Sequence, residues 1–226
     1  GWRYTQYLSF EAMAAALLQL DAKGRTVYHA CNAYNDWYVD ERTGKKRIRT
    51  QDNVTACRSL YDDIDIGKPT CYQTRAEAMG EVKAFIKATG LPAPLVIYSG
   101  NGIHLYWPLD RDITPQEWAN LAVLKRRVTN HIKLRVDAAV DCDLARVLRP
   151  VGSHNRKGEA QEVVAKNDVG PYSPEDIQAR LEAFIEANDV PLLRVRGFKP
   201  AAKNAFAAAL EENYPDVHVE EILERC

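Results

Sequence analysis

Helical and strand periods alternate along this chain, and each is bounded by residues able to start or stop it. Ser9 can cap a helix through about residue 22, with Gly24 just past its end. The longest apolar run, 12–18, lies on this short amphipathic helix. Over 25–34 the period drops to two: Val27, His29 and Cys31 alternate with Tyr28, Ala30 and Asn32, the pattern of a strand. A basic stretch around Gly44 predicts a hairpin tip at 41–46, and 54–66 returns as a strand that stops at Gly67-Lys68-Pro69. Thr74 and Glu77 form a capping box for a helix ending at Gly90. Strands at 95–98 and 103–109 flank the turn Ser99-Gly100-Asn101-Gly102. Thr114, followed by Pro115 and Glu117, opens a helix to about residue 134. Short strands are predicted at 147–151 and 162–165, then a helix from Ser173-Pro174 to about 187. Beyond Pro191 the chain is rich in Ala and Glu and reads as helical. Interleaved strands and helices, with a hairpin among them, predict an α+β fold rather than a doubly wound parallel sheet. A boundary near 170 divides a main domain, 1–170, from a helical segment, 171–226.

Composition narrows this picture. At 226 residues and 46% hydrophobic, the chain suits a globular domain with an appendage. No apolar run reaches the roughly 18–20 residues that cross a bilayer, so no membrane partner is expected. The start Gly1-Trp2-Arg3-Tyr4 lacks a secretory signal, and an end inside a predicted helix makes the chain read as part of a longer protein. Five scattered cysteines (31, 57, 71, 142 and 226) form no pair with zinc-ligand spacing, so reduced thiols in a cytoplasmic setting are expected, and no zinc. The net charge of -1 conceals an asymmetry: residues 1–171 carry 24 Lys and Arg against 20 Asp and Glu, and 172–226 carry 6 against 11. Arg42, Lys45, Lys46, Arg47, Arg49 and Arg58 crowd 41–58, and Lys125, Arg126, Arg127, Lys133 and Arg135 follow later. Such clusters hold phosphates or form solvated faces, and charge alone favours the second.

Three constellations change that balance. In 60–67 a strand puts Tyr61, Asp63 and Asp65 on one face, with Leu60, Ile64 and Ile66 on the other. Two carboxylates so placed repel each other unless a hard divalent cation such as Mg²⁺ or Mn²⁺ neutralises them. Asp62 falls on the apolar side, where only exposure at the strand edge would account for it. In the second, Gly100 and Gly102 allow a tight turn whose backbone N–H groups can approach an anion, with Ser99 and His104 at its two mouths. The third runs from Asp137 to a Gly152-Ser153 turn, with Arg149, His154, Asn155, Arg156 and Lys157 around it, a set suited to a triphosphate. Acids on a strand, a glycine turn, a third acid and a basic loop together match the needs of a polymerase-type site.

Asp63-x-Asp65, Ser99-Gly-x-Gly-x-His104 and the Asp137 segment resemble, in order, motifs I, II and III of the archaeo-eukaryotic primase superfamily, over about 25–165. The third motif is matched by Asp137-Ala-Ala-Val140, Val147-Leu148-Arg149 and Gly152-Ser153-His154-Asn155-Arg156-Lys157. The flanking residues look most like primase-polymerases of phages and plasmids. The resemblance implies a core of mixed sheets flanked by helices, with an RRM-like module and a C-terminal helical extension. It implies that Asp63, Asp65 and Asp137 hold two divalent cations, and that Ser99, His104, Arg149, Asn155 and Lys157 hold the incoming NTP or dNTP. Asp141 and Asp143 are rivals to Asp137, which is preferred on motif spacing. The proline expected before the glycine turn is displaced to Pro150, which leaves His154 and Asn155 open as phosphate contacts.

The reading is therefore a DNA primase and DNA polymerase, a template-dependent nucleotidyltransferase of a phage or plasmid-like element, cytoplasmic in a bacterial host. Single-stranded DNA is the expected template, with Arg47 and Arg49 its candidate contacts, and a replicative helicase a possible partner in the same chain or a separate one. The rival readings are a metal-dependent nuclease or phosphoesterase and a non-catalytic nucleic-acid-binding module.

Overall fold

One long strand sets the frame. In chain order, helix α1 (Phe10–Ala22) leads to the short strands β1 (His29–Ala30) and β2 (Asn32–Tyr34), then to a hairpin of β3 (Tyr38–Val39) and β4 (Lys46–Arg47). The long strand β5 (Val54–Asp65) precedes helix α2 (Arg75–Thr89), strands β6 (Leu95–Tyr98) and β7 (Gly102–Ile113), and helix α3 (Pro115–Ile132). Four short strands follow: β8 (Val147–Leu148), β9 (His154–Asn155), β10 (Gln161–Glu162) and β11 (Val164–Ala165), and then helix α4 (Pro174–Ala187). The structure, a computed structural model, describes residues 4–192. The part of the expected C-terminal helical segment from 193 onward lies outside the described residues.

Five strands form the main sheet in the order β11-β6-β7-β5-β2, with every ladder antiparallel. The expected α+β class is found, and among the described residues parallel pairing is confined to two isolated bridges, Ile66 with Tyr72 and Leu109 with Tyr172. Outside this sheet β1 pairs with β8, β9 with β10 and β3 with β4. Helix α3 packs on β5 and on α4, which also meets α2. Ile177 and Leu181 of α4 enter the same core as Leu60, Ile64, Phe85, Leu105 and Trp118. No helix among the described residues is long and apolar enough to cross a membrane.

The helix signals act as chemistry requires. The Thr114 side chain accepts from the Glu117 N–H, and the Glu117 carboxylate accepts from the Thr114 N–H at 2.7 Å. Gly90 ends α2 in the left-handed region at φ 65°. Strand boundaries shift where a backbone group finds a partner elsewhere. The strand expected at 25–34 breaks at Cys31, whose N–H donates to the Arg146 carbonyl at 3.0 Å, so β1 joins β8 while β2 joins the main sheet. The strand expected at 147–151 stops at Leu148, just before Pro150, which has no N–H to offer, and the turn at Gly152. That expected at 162–165 divides at Val163, whose N–H donates to Ser153 O at 2.8 Å. Helix α1 departs most from expectation: Phe10, Leu18 and Leu20 are exposed, and the residue it buries is Asp21.

Asp62 is not exposed at a strand edge. It is fully buried beneath α3 in an ion pair with Lys125, which is 1% exposed and also donates to Tyr61 O at 3.0 Å. Nor is the cluster at 125–127 a solvated face or a phosphate cradle. Arg126 pairs with Asp141 at 2.8 Å, and Arg127 donates to Val190 O at 2.6 Å. Removing one member of a buried pair strands the other charge away from water. Lys125→Met is therefore expected to lower unfolding free energy by about 3–5 kcal/mol. Asp62→Leu combined with Lys125→Met should recover most of that loss, as read by urea denaturation.

Candidate active site

The register of β5 on β7 brings the first two constellations together, since Asp63 pairs with His104 and Asp65 with Gly102. Asp63 and Asp65 lie on the strand face opposite Leu60, Asp62 and Ile64. The loop after α3 supplies the third acid. The Asp137 N–H donates to Asp63 O at 2.8 Å, and the Asp137 carboxylate accepts from the Ala139 N–H at 2.9 Å. Tyr61 Oη donates to Asp143 O at 2.8 Å and Asn32 Nδ2 to Leu144 O at 2.9 Å, tying the rest of the loop to the sheet. Asp141 turns away to Arg126 and Asp62, and the carboxylate of Asp143 accepts from the Ala145 N–H at 2.9 Å. Asp137 is the acid that lies against Asp63.

Asp63 feels the charges of the other two acids. Burial first, and then the charges of Asp65 and Asp137 against the pull of Arg146 and Arg149, push the Asp63 carboxyl up to about 6. Lys68 pairs with Asp65 at 2.5 Å, and Arg146 stands 3.8 Å from Asp137 and 3.9 Å from Asp143. Among the described residues, no three His, Cys, Asp or Glu side chains already close into a metal-binding group. The donor set nevertheless fits a hard divalent cation: three carboxylates in one region, with excess negative charge at the most buried of them.

Beside the acids, His104 is 2% exposed, with Nε2 3.9 Å from Asp63 Oδ1. Burial, then the neighbouring charges of His29, Arg149 and Arg146, hold its imidazole down at about 3, so the ring is neutral at pH 7. Its Nδ1 is buried and makes no hydrogen bond within the protein. The Arg149 guanidinium carbon lies 4.9 Å from the centre of the Tyr28 ring, and the group donates to Tyr28 Oη at 2.9 Å. Ser99 is buried at the start of the turn, where Gly100 has φ +88°.

Asn155 locks the basic loop onto this turn. Its Nδ2 donates to Ser99 O at 2.8 Å, and its Oδ1 accepts from the Lys157 N–H at 3.1 Å. Each end of its amide thus makes one hydrogen bond within the protein. Lys157 is exposed, while His154 and Arg156 face Asp21. Arg47 pairs with Asp40 at 3.1 Å on the β3–β4 hairpin, and Arg49 donates to the Ala145 carbonyl next to Arg146. Sequence reasoning missed Arg146, Lys68, Tyr28 and Asp21. Arg146 carries a usable signal, standing between Asp143 and the strand at 147–148 in a segment already rich in acids.

No protein-family model matches the chain, and no curated protein matches it by sequence. Among solved structures, it is similar to the archaeo-eukaryotic primase domain of the cyanophage S-2L primase-polymerase, with 18% identity and a TM-score of 0.51 over 79% of this chain and 80% of that one. Looser likenesses reach a primase RepB' (16% identity, TM-score 0.45, 89% of this chain and 56% of that one) and the polymerase domain of Mycobacterium tuberculosis Ligase D (16%, 0.37, 70% and 61%). At such identity the likeness is one of fold. The chain has the archaeo-eukaryotic primase fold that its motifs imply.

Because the folded state raises the Asp63 carboxyl, its charge opposes folding fully above about pH 6 and not at all below its ordinary value near 3.8. Asp63→Asn is expected to gain about 1–3 kcal/mol at pH 8 without added metal, and the gain should vanish by pH 3.5. Thermal melts across this range check it. A methyl group at Gly102 would meet Ile64 O at 2.6 Å, within the ladder that sets the site. Gly102→Ala should therefore lower the melting temperature, read by the same thermal melts.

Proposed function

We propose that this chain is a template-directed nucleotidyltransferase, a DNA primase that also extends primers as a DNA polymerase. The observation that carries the reading is the placing of Asp65 and Asp137 around a half-desolvated Asp63, one strand-pair from the Ser99–Gly102 turn. The fold shared with a phage primase-polymerase domain supports it, and supports replication of a phage or plasmid-like element as its setting.

In this reading Asp63, Asp65 and Asp137 hold two Mg²⁺ or Mn²⁺ ions, which when bound supply Lewis-acid activation of the attacking hydroxyl and neutralise the departing pyrophosphate. The protein's own groups bind and orient the nucleotide. Arg149, its guanidinium positioned by Tyr28, is a planar donor for phosphate oxygens. The neutral His104 donates one N–H and adds no fixed positive charge to compete with the cations. Ser99 and exposed Lys157 add donors on either side, and Asn155 contributes by fixing the turn. Lys68 and Arg146 balance the acids until the ions take them over.

The template reading rests on the β3–β4 hairpin. Lys46 Nζ lies 5.2 Å from the Trp37 ring centre, Arg49 lies 5.6 Å from that of Tyr4, and Tyr38 is exposed. Cations interleaved with aromatic rings suit an unpaired strand, whose phosphates and base faces they meet in turn. Arg49, which also reaches the loop bearing Arg146, is better placed there than Arg47, whose charge is matched by Asp40.

Incubation with unprimed single-stranded DNA, Mg²⁺ or Mn²⁺, and labelled NTPs and dNTPs separately tests the proposal. New strands should form, and Asp63→Ala or Asp137→Ala should reduce incorporation by about a thousandfold or more while the chain stays folded. His104→Ala should raise KM with a smaller effect on kcat. Shortening of the DNA without incorporation would favour a nuclease and refute the proposal.

A further inference from the structure

We propose that Asp21, at the end of α1, is a positioning residue for the nucleotide site, latching the 152–157 loop so that Asn155 is held against the Ser99–Gly102 turn. The inference rests on the nucleotidyltransferase reading above. Its starting point is the way α1 is attached. Phe10, Leu18 and Leu20 are exposed, Met13, Ala16 and Leu17 are only half-buried, and Asp21 is the one residue of the helix that is buried, at 4% exposure. A carboxylate in the last helical turn faces the negative end of the helix dipole, and burial adds a desolvation cost. Nothing within α1 offsets either, since its last turn carries no basic residue.

The compensation comes from the loop. Asp21 accepts from the His154 N–H at 2.9 Å, from His154 Nδ1 at 2.7 Å and from the Arg156 guanidinium. Arg156 also donates to the Asp21 carbonyl at 2.8 Å and to Arg25 O at 3.3 Å, supplying the cation that the end of α1 lacks. These bonds, that from Arg156 foremost, hold the Asp21 carboxyl well below the usual carboxylate range despite its burial.

The consequence for the site follows from strand geometry. His154 and Asn155 are neighbours in β9, so their side chains point to opposite sides. Pinning His154 on α1 turns Asn155 inward, where it grips Ser99 O and fills the space that a side chain at Gly100 would need, its Cβ lying 2.7 Å from where a Gly100 Cβ would stand. Without the latch the loop keeps its ladder with β10 and its backbone bonds to Val163, but it loses its anchor on α1, so Asn155 is held less firmly against the turn and Lys157 loses its fixed relation to it. Asp63, Asp65 and Asp137 make their hydrogen bonds and ion pairs with other residues than Asp21, His154, Asn155 and Arg156. The latch therefore governs nucleotide binding and leaves the chemical step alone.

The test uses the full 226-residue chain and follows dNTP incorporation on a primed template with Mn²⁺, alongside hydrogen exchange of the backbone. Asp21→Ala should raise KM for the dNTP about tenfold or more, through loss of charge-assisted hydrogen bonds. It should leave kcat within about twofold and template affinity unchanged, while amides at 153–157 exchange faster. Asp21→Asn, which keeps an acceptor for the His154 N–H, should recover part of the loss. Arg156→Gln should give a milder rise in KM and serves if Asp21→Ala fails to fold. An unchanged KM, or a fall in kcat and template affinity in step with KM, would overturn the proposal. If the wild-type chain incorporates no nucleotide, the nucleotidyltransferase reading is at fault; unchanged exchange at 153–157 in Asp21→Ala would then overturn the latch separately, and faster exchange would uphold the attachment.

Discussion

Strand β5 carries charge on both faces of a buried sheet, and its register against β7 decides where each charge goes. With Asp63 opposite His104, Asp62 must face α3, and with Asp62 facing α3 it must find a cation there. Lys125 meets that demand permanently. On the other face Asp63 is surrounded by acids instead, and its partial burial leaves an electrostatic debt that the protein covers only incompletely through Arg146 and Arg149. The same strand thus holds one carboxylate that is settled and one that is available, which separates folding from chemistry at adjacent residues.

Local signals in the sequence were sufficient wherever neighbouring residues determine the structure. Thr74 with Gly90, and Thr114 with Pro115 and Glu117, mark helices that form where the caps place them. The alternation in 54–66 gives the strand and the two faces on which the acids sit. What was not legible depends on distant partners. The break at Cys31 needs the Arg146 carbonyl, and the role of Asp62 needs Lys125, 63 positions away. The apolar run at 12–18 reads as part of an amphipathic helix, whereas the residue that α1 buries is Asp21. Hydrophobic periodicity reports that a face could be buried; it does not say that a surface is there to receive it.

For the site, the three constellations carried the order of the groups but not their division of labour. Gly100, Gly102, Ser99 and His104 are neighbours in sequence and in space, so their association is local. The 152–157 loop reads as a uniform basic patch, yet alternate residues serve different ends: His154 and Arg156 face a helix end, while Asn155 faces the Ser99–Gly102 turn. Alternation in a two-residue strand is too short to register as a pattern. One sign of the arrangement was present, an acidic residue in the last turn of a helix that has no basic residue there, and it acquires meaning only once its partners are found.

The contact between Gly100 and Asn155 has a thermodynamic corollary. Two loops separated by more than fifty residues of chain interlock with no room for a single methyl group between them. If the proposed nucleotide binds here, neither has to be gathered into shape, so the disorder given up in forming the complex would belong mainly to the ligand. A surface prepared in this way reserves the gain from each new hydrogen bond for affinity instead of spending it on ordering the protein.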